Sequence, residues 1–412
     1  MNRMRIAIVG CGVAGSVVLH GLRERDDVEL VCFEKVGSAD QTDAGTGLNI
    51  GPNGLKALHA LDPALARTFV EASLPWRRWA VSLADGTPVF DLDLMRVADN
   101  PGVRIRWAAL YSLLRGAVAP RVQFRSEVLD VRHGPGGRTI DLQVEADGQP
   151  QWETGFDLVI AGDGRYSLLR EKLMGRPAVR HLGIALGRAL LPDHSGGMFD
   201  DYSQWYSGSH RLFAFRVPGD QLYLTTSYPL VPGEPVPDAA LRADTLRAAL
   251  APAGRTLCAH AAYIVDALCA QPGNLHWSRV QEADAAFHDA SGRLLLVGDA
   301  AHPMAPTLGQ GATQALEDAV AVVDEIHVAL DAGRDSRPDA TAISRAVAAR
   351  RLARVQFVAR LSWDASDSML AGSRPAVSEA AKREPAFLGQ IQRVYRDCPL
   401  PRAQRLSEES PA

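Results

Sequence analysis

"RIAIVGCGVAGSVVLHGLRERDDVELVCFEK", Arg5 to Lys35, is the stretch on which the fold turns. Ile6 to Val9 is a short β-branched run of the kind that fills a parallel sheet buried on both faces. Gly10-x-Gly12-x-x-Gly15 follows and opens an apolar helix pattern through Val17, Val18, Leu19 and Leu22. A second apolar run, Val28 to Phe33, ends on Glu34, 19 residues after Gly15. Strand, glycine turn, helix, strand and acid at these spacings form a dinucleotide-binding βαβ unit. Gly10 permits the tight turn, Gly12 lets backbone approach a pyrophosphate, and Gly15 lets helix and strand pack closely. The helix start at Val13 and Ala14 supplies free N–H groups and positive potential. Glu34, with Lys35 beside it, is placed to accept hydrogen bonds from ribose hydroxyls. That favours adenosine with a free 2′-hydroxyl, so FAD or NAD over NADP, and the motif alone does not choose between those two.

Two further stretches repeat the strand-to-helix theme. In "FDLVIAGDGRYSLLREKL", Phe156 to Leu173, the apolar run Leu158 to Ala161 meets the turn Asp163-Gly164, with Ser167 and Arg170 one helical turn later. Alone, this reads equally as a capped strand-to-helix connection. In "RLLLVGDAAHPMAPTLGQGATQALEDA", Arg293 to Ala319, a strand from Leu294 to Val297 ends on Gly298-Asp299. Gly309-Gln310-Gly311 then leads into a helix through Ala312, Ala315, Leu316 and Ala319. Asp299 falls at the carboxyl end of a strand, where open α/β sheets bind ligands.

Taken in this order, the three motifs resemble the single-component FAD-dependent aromatic hydroxylases of the p-hydroxybenzoate hydroxylase type, over residues 5 to about 365. The resemblance implies an α/β fold. Its parts are a Rossmann-like FAD domain assembled from 1–75, 101–175 and 276–365, an inserted antiparallel substrate domain from 76–100 and 176–275, and a C-terminal helical segment, 366–412. It implies FAD, NADH or NADPH as co-substrate, O2 and a small aromatic substrate. Oxygen would pass to the ring by way of a flavin C4a-hydroperoxide, the second atom leaving as water. Carried over by position, Gly10, Gly12, Gly15 and Glu34 form the ADP half-site, and Asp163 lies near the nucleotide phosphates. Gly298 and Asp299 hold the ribitol, and Pro306 to Gly311 with Ala312 line the isoalloxazine. "AGTGLNIGPNGLKAL", Ala44 to Leu58, resembles the segment along the dimethylbenzene edge, with Gly47 at its centre. A helix N-terminus near Gly311 would favour negative charge on the reduced ring. Catalysis then needs no side-chain nucleophile. Pro306 and His302 are the weak catalytic candidates, and His302 reads either as a proton shuttle or as a structural turn residue.

Two family arginines are absent. Thr42 stands where the family has one, three residues before Gly45-x-Gly47. Trp107 stands where it has another, three and seven residues before Leu110 and Leu114, with Arg106 one step out of register. Arg106 or Arg104 is the expected compensation, although neighbouring helix residues point about 100° apart.

Residues 176 to about 275 break the βαβ rhythm. Ser203 to Leu230 alternates apolar and polar around Pro218-Gly219-Asp220, which predicts an antiparallel hairpin. In the family such a sheet roofs the flavin, so Arg188, Trp205, Arg211, Phe213 and Tyr223 are candidate inward groups. Short matches at Arg188 to Pro192, at Arg211 with Tyr223, at Trp76 and at Ile391 to Pro399 resemble the 2-methyl-3-hydroxypyridine-5-carboxylate oxygenase branch. There, Arg188, Arg211 and Tyr223 would meet a carboxylate or ring oxygen. Either arginine reads as well as a solvated strand residue.

The bulk numbers set limits. Net charge is −4 across 412 residues, with 47% hydrophobic and 22% charged, so no basic field points to nucleic acid or an anionic membrane. The basic face of the Asp339–Leu370 helical pattern (Arg345, Arg350, Arg351, Arg354) reads as solvated. Five scattered cysteines without CxxC spacing suggest reduced thiols in a cytoplasmic protein. A monomer or homodimer is the expected assembly. No zinc-type His/Cys spacing or GxSxG occurs, and the metal expectation is none. The competing readings are a reductase or halogenase of the same fold, the latter weakened by the absence of a WxWxIP motif, and a flavin binder without redox function.

Overall fold

The computed structural model describes residues 3–42, 45–146, 148–238, 242–332, 337–398 and 400–401. Ala44, Pro399 and 402–412 of the expected C-terminal segment lie outside the described residues.

Five short apolar runs align as one parallel sheet, in the order Leu294–Leu296, Leu158–Ala161, Met4–Val9, Val28–Glu34, Val122–Phe124. Ile6 stands opposite Leu158 on one side and Leu30 on the other. Helices Val13–Leu22 and Gly311–Ala332 pack together over it, and they meet closely at Gly21, where a Cβ would press on the Val323 side chain. The central strand, Met4–Val9, receives neighbours from both directions. The strand order therefore reverses at its carboxyl end, where Gly10 stands and where open sheets leave a ligand crevice.

The second sheet has seven strands: His276–Ala283, Val179–Pro192, Gln221–Pro229, His210–Val217, Tyr202–Ser207, Arg78–Leu83 and Pro88–Asp93. The expected hairpin is present, with Phe213 opposite Thr225 and Val217 opposite Gln221. Gly219 (φ 86°) and Asp220 (φ 49°) make its turn. Strand alternation gives the sheet two faces. Leu212, Ala214, Leu222 and Leu224 pack against helices Ala243–Leu250 and Ala259–Ala270. Arg211, Phe213 and Tyr223 face the nucleotide domain. The sheet runs past the expected boundary at 275, because His276–Ala283 pairs with Val179–Pro192. Leu74–Trp76 joins a small sheet with Gly102–Arg106 and Gly47–Ile50 rather than the roof.

One expectation is overturned in the long helix Ala340–Asp364. Arg345 is exposed, but Arg350, Arg351 and Arg354 are not a solvated face. Arg351 is fully buried and reaches Glu317 Oε2 (2.6 Å) and Asp318 Oδ1 (2.7 Å). Arg354 clasps Glu317 with two bonds, and Arg350 meets Asp324 and Glu325. The acids belong to Gly311–Ala332, so two amphipathic-looking faces neutralise each other inside the molecule. Among the described residues no helix is long and apolar enough to cross a membrane, and no cluster could hold a metal ion.

Candidate active site

The site begins at the glycine turn. Gly10 has φ 90°, and a Cβ there would meet the Gly162 carbonyl oxygen at 2.5 Å, so the first and second motifs touch through bare backbone. A Cβ on Gly15 would collide with the Gly10 carbonyl oxygen. Gly12 differs: its nearest neighbour would be 3.9 Å away, so the position looks onto open space and accepts a close ligand. Val13 and Ala14 are buried behind it. Glu34 is buried and accepts from the backbone N–H groups of Cys11 (2.6 Å) and Val36 (3.2 Å). Lys35 is exposed.

The second motif serves the third. Ser167 caps Leu168–Met174 by accepting from the Arg170 N–H. The Arg170 guanidinium donates to the carbonyls of Ala300 (3.0 Å), Ala301 (3.1 Å) and Asp284 (2.7 Å), holding the loop after Asp299. Asp163 Oδ2 accepts from the Leu169 N–H at 3.3 Å, while Oδ1 is buried without a partner among the described residues. Burial pushes this carboxyl up, and its hydrogen bonds to Ser167 and Leu169 only partly offset that. In the third motif, Gly298 (φ 59°) donates its N–H to Asp318 Oδ2 (2.8 Å). His302 Nε2 also lies 2.6 Å from Asp318 Oδ2 and is buried, which makes it a brace for this loop rather than a group facing the cavity. Gly309 (φ 64°) lies so close to Asn49 that a Cβ would clash.

Between this wall and the roof lies a cavity of about 600 Å³. From below it is lined by Gly47, Trp107, Arg165, Asp299, Pro306, Gly309, Gly311 and Ala312. From above it is lined by Arg188, Arg211, Phe213, Tyr223 and Thr225. The sheet register explains the roof, since Arg188, Thr225 and Phe213 are cross-strand neighbours in one row. Arg211 is buried, its guanidinium carbon lies 5.5 Å from the Phe213 ring centroid, and its Nε has no partner among the described residues. Thr225 Oγ1 is likewise buried and unpartnered. Arg188 is anchored to Ser278 Oγ at 2.6 Å.

Three expected site residues stand elsewhere. Trp205 pairs in register with Leu212, which turns it to the opposite face, where it stacks on His260. Trp76 lies behind the cavity, its ring 5.2 Å from Tyr202. Arg106 turns to the roof hairpin and donates to Gln221 Oε1 (3.2 Å), and Arg104 is taken by the Pro75 carbonyl and by Asp200 and Asp201. Neither replaces the missing family arginine. Missed by sequence reasoning were Tyr202, Thr225, Asn274, His276 and Arg165, all lining the cavity. Only Arg165 carried a signal, since it sits inside the Asp163-Gly164 motif. Burial, outweighing the nearby Arg211 charge, pushes the Tyr202 phenol up to about 12, so it stays protonated as a donor. Arg115, also missed, is buried beside the glycine turn and donates to the carbonyls of Cys11 and Gln41 (both 2.8 Å).

Room beside Gly12, the unpartnered Asp163 oxygen and a cavity wall that includes Gly309 and Gly311 fit a flavin dinucleotide. Comparison with known proteins agrees. Residues 274–356 match the family described as FAD binding domain. The 3-amino-4-hydroxybenzoate 2-monooxygenase of Streptomyces cremeus is 30% identical over 343 residues, 78% of each chain. The 6-hydroxynicotinate 3-monooxygenase of Pseudomonas fluorescens is 27% identical over 375 residues, 87% of this chain and 90% of its own. The solved structure of Klebsiella pneumoniae HpxO complexed with FAD and uric acid has the same fold, with TM-score 0.76 over 95% of this chain and 96% of its own at 21% identity. The chain therefore belongs to the FAD-dependent aromatic-ring monooxygenases of the p-hydroxybenzoate hydroxylase type, oxidoreductases that hold FAD and draw on NAD(P)H.

Proposed function

We propose that this monooxygenase hydroxylates a small aromatic or N-heteroaromatic acid that already carries a ring hydroxyl. The observation behind this is the roof: two arginines, a protonated phenol and a threonine hydroxyl unpartnered among the described residues, above the Pro306–Ala312 wall. A buried guanidinium with unused donors is stabilised by a carboxylate, which it can meet with two parallel bonds. The flat ring would rest between Phe213 and Tyr223 above and Pro306 below. The names of two relatives support the class, because each acts on a hydroxylated ring carboxylate.

Bound FAD supplies hydride acceptance and O2 activation. In this reading the chain's own residues bind, orient and exclude water. Gly10, Gly12, Val13, Ala14, Gly15, Glu34 and Asp163 hold the ADP half. Gly298, Asp299 and Gly47 position the ribitol and ring edge, and Pro306, Gly309, Gly311 and Ala312 form the flavin floor. Arg188 and Arg211 hold the carboxylate, and Tyr202 and Tyr223 orient the ring hydroxyl. A cytoplasmic monomer or homodimer is the setting this reading expects, and the five free thiols support a reducing compartment.

The test is a screen of hydroxylated aromatic acids for stimulated NAD(P)H oxidation, with O2 uptake and product mass measured together. The expected outcome is a product heavier by one oxygen atom, formed in step with O2 consumption. Turnover of substrate without O2 would reject hydroxylation in favour of a reductase.

A further inference from the structure

The missing family arginine at position 107 leaves an electrostatic deficit. A pyrophosphate carries two negative charges, and Asp299 already lines the cavity beside the glycine wall. Trp107 brings no charge. Its ring lies 5.3 Å from Tyr111, and Arg115 stacks over Tyr111 in turn, so this helix presents an aromatic face closed off by one cation. Arg115 is not free to serve. Two of its nitrogens are spent on the Cys11 and Gln41 carbonyls, and the third lies 3.8 Å from Glu34. The cavity is lined by three described arginines, of which Arg188 and Arg211 belong to the roof and only Arg165 to the nucleotide wall.

The geometry points to Arg165 as the relocated pyrophosphate ligand of this enzyme. Its Nε lies 3.8 Å from Asp299 Oδ2, the two side chains are each about a third exposed, and both share the cavity with Trp107. At 3.8 Å the pair is an ion contact without a short hydrogen bond, so the guanidinium keeps its donors for a phosphate. Arg165 stands just after the Asp163-Gly164 turn, whose backbone already meets the Gly10 turn. On this assignment the charge comes from the second motif's loop instead of the helix that carries Trp107.

Apoprotein titrated with FAD and, separately, with riboflavin provides the test, since riboflavin has the ring and ribitol but no phosphate. Arg165→Gln should weaken FAD binding roughly 10- to 100-fold, the scale of a charged hydrogen bond, and leave riboflavin binding unchanged. Arg165→Lys should recover part of the loss. Trp107→Arg in the Arg165→Gln background should restore FAD affinity by returning the charge to the family position. Matching apoprotein melting curves establish that the variants fold. Wild-type FAD affinity in Arg165→Gln, or an equal loss for riboflavin, would overturn the assignment.

Discussion

Single atoms decide what the glycine turn can do. Gly12 and Gly15 look alike in the motif, but a Cβ on the first meets space and on the second meets backbone. Gly12→Ala should therefore leave the apoprotein melting temperature near wild type and abolish FAD retention. Gly15→Ala should lower the melting temperature as well, by roughly 1–3 kcal/mol of overpacking. Thermal melts of the two apoproteins separate these outcomes, and equal melting temperatures would contradict the collision. A second pair divides cofactor from substrate. Asp299→Ala should release FAD on gel filtration, whereas Arg211→Ala should keep FAD and raise the KM for an acidic substrate, since one charged contact is worth about 1.5–3 kcal/mol. Equal loss of FAD in both would place Arg211 wrongly.

At the scale of elements, the flavin-side loop is held from behind by a buried charge network joining Gly311–Ala332 to Ala340–Asp364. Asp318 accepts from His302, Gly298 and Arg351 together. Burial alone would raise its carboxyl, but the His302 and Arg351 charges outweigh burial and hold it at about 2, down from 3.8. A folded-state value below the unfolded one gives stability that is present above about pH 4 and lost as pH falls toward 2. The full contribution is roughly 2 kcal/mol. Arg351→Met removes a partner from two buried acids and should cost about 3–5 kcal/mol. It should also move the acid unfolding midpoint to higher pH, which denaturation series between pH 3 and pH 7 would record. An unchanged midpoint would mean the network does not set the acid limit.

Over the whole molecule, the cofactor crevice is built from chain segments around Gly10, Asp163 and Asp299, far apart in sequence. A ligand that binds only when all three are assembled stabilises the folded state by mass action. Added FAD at about a hundredfold over its Kd should contribute about 2.7 kcal/mol, seen as a higher melting temperature. If FAD left melting unchanged, the three motifs would not converge on one ligand. The same convergence explains Arg170, which ties the second motif to the carbonyls of the third and makes their geometry interdependent.

Local signals in the sequence determined the parallel sheet, the glycine turn and the roof hairpin, because each depends on spacing within a short segment, whereas FAD over NAD rested on three such segments taken in order. Glycine positions, β-branched runs and strand alternation act through backbone sterics over a few residues. What depended on partners far along the chain was decided only by the tertiary structure. Strand alternation alone leaves Trp205 a candidate inward group, but its face depends on which roof residue it pairs with, and that residue is Leu212. Arg350, Arg351 and Arg354 of Ala340–Asp364 read as solvated because the acids that pair with them lie on another helix. Arg106 and Arg165 each carry one charge in a plausible stretch of sequence, and only the folded chain sends the first to Gln221 and the second to the cofactor cavity. A side chain's charge is local, but the field it meets is set by everything folded around it.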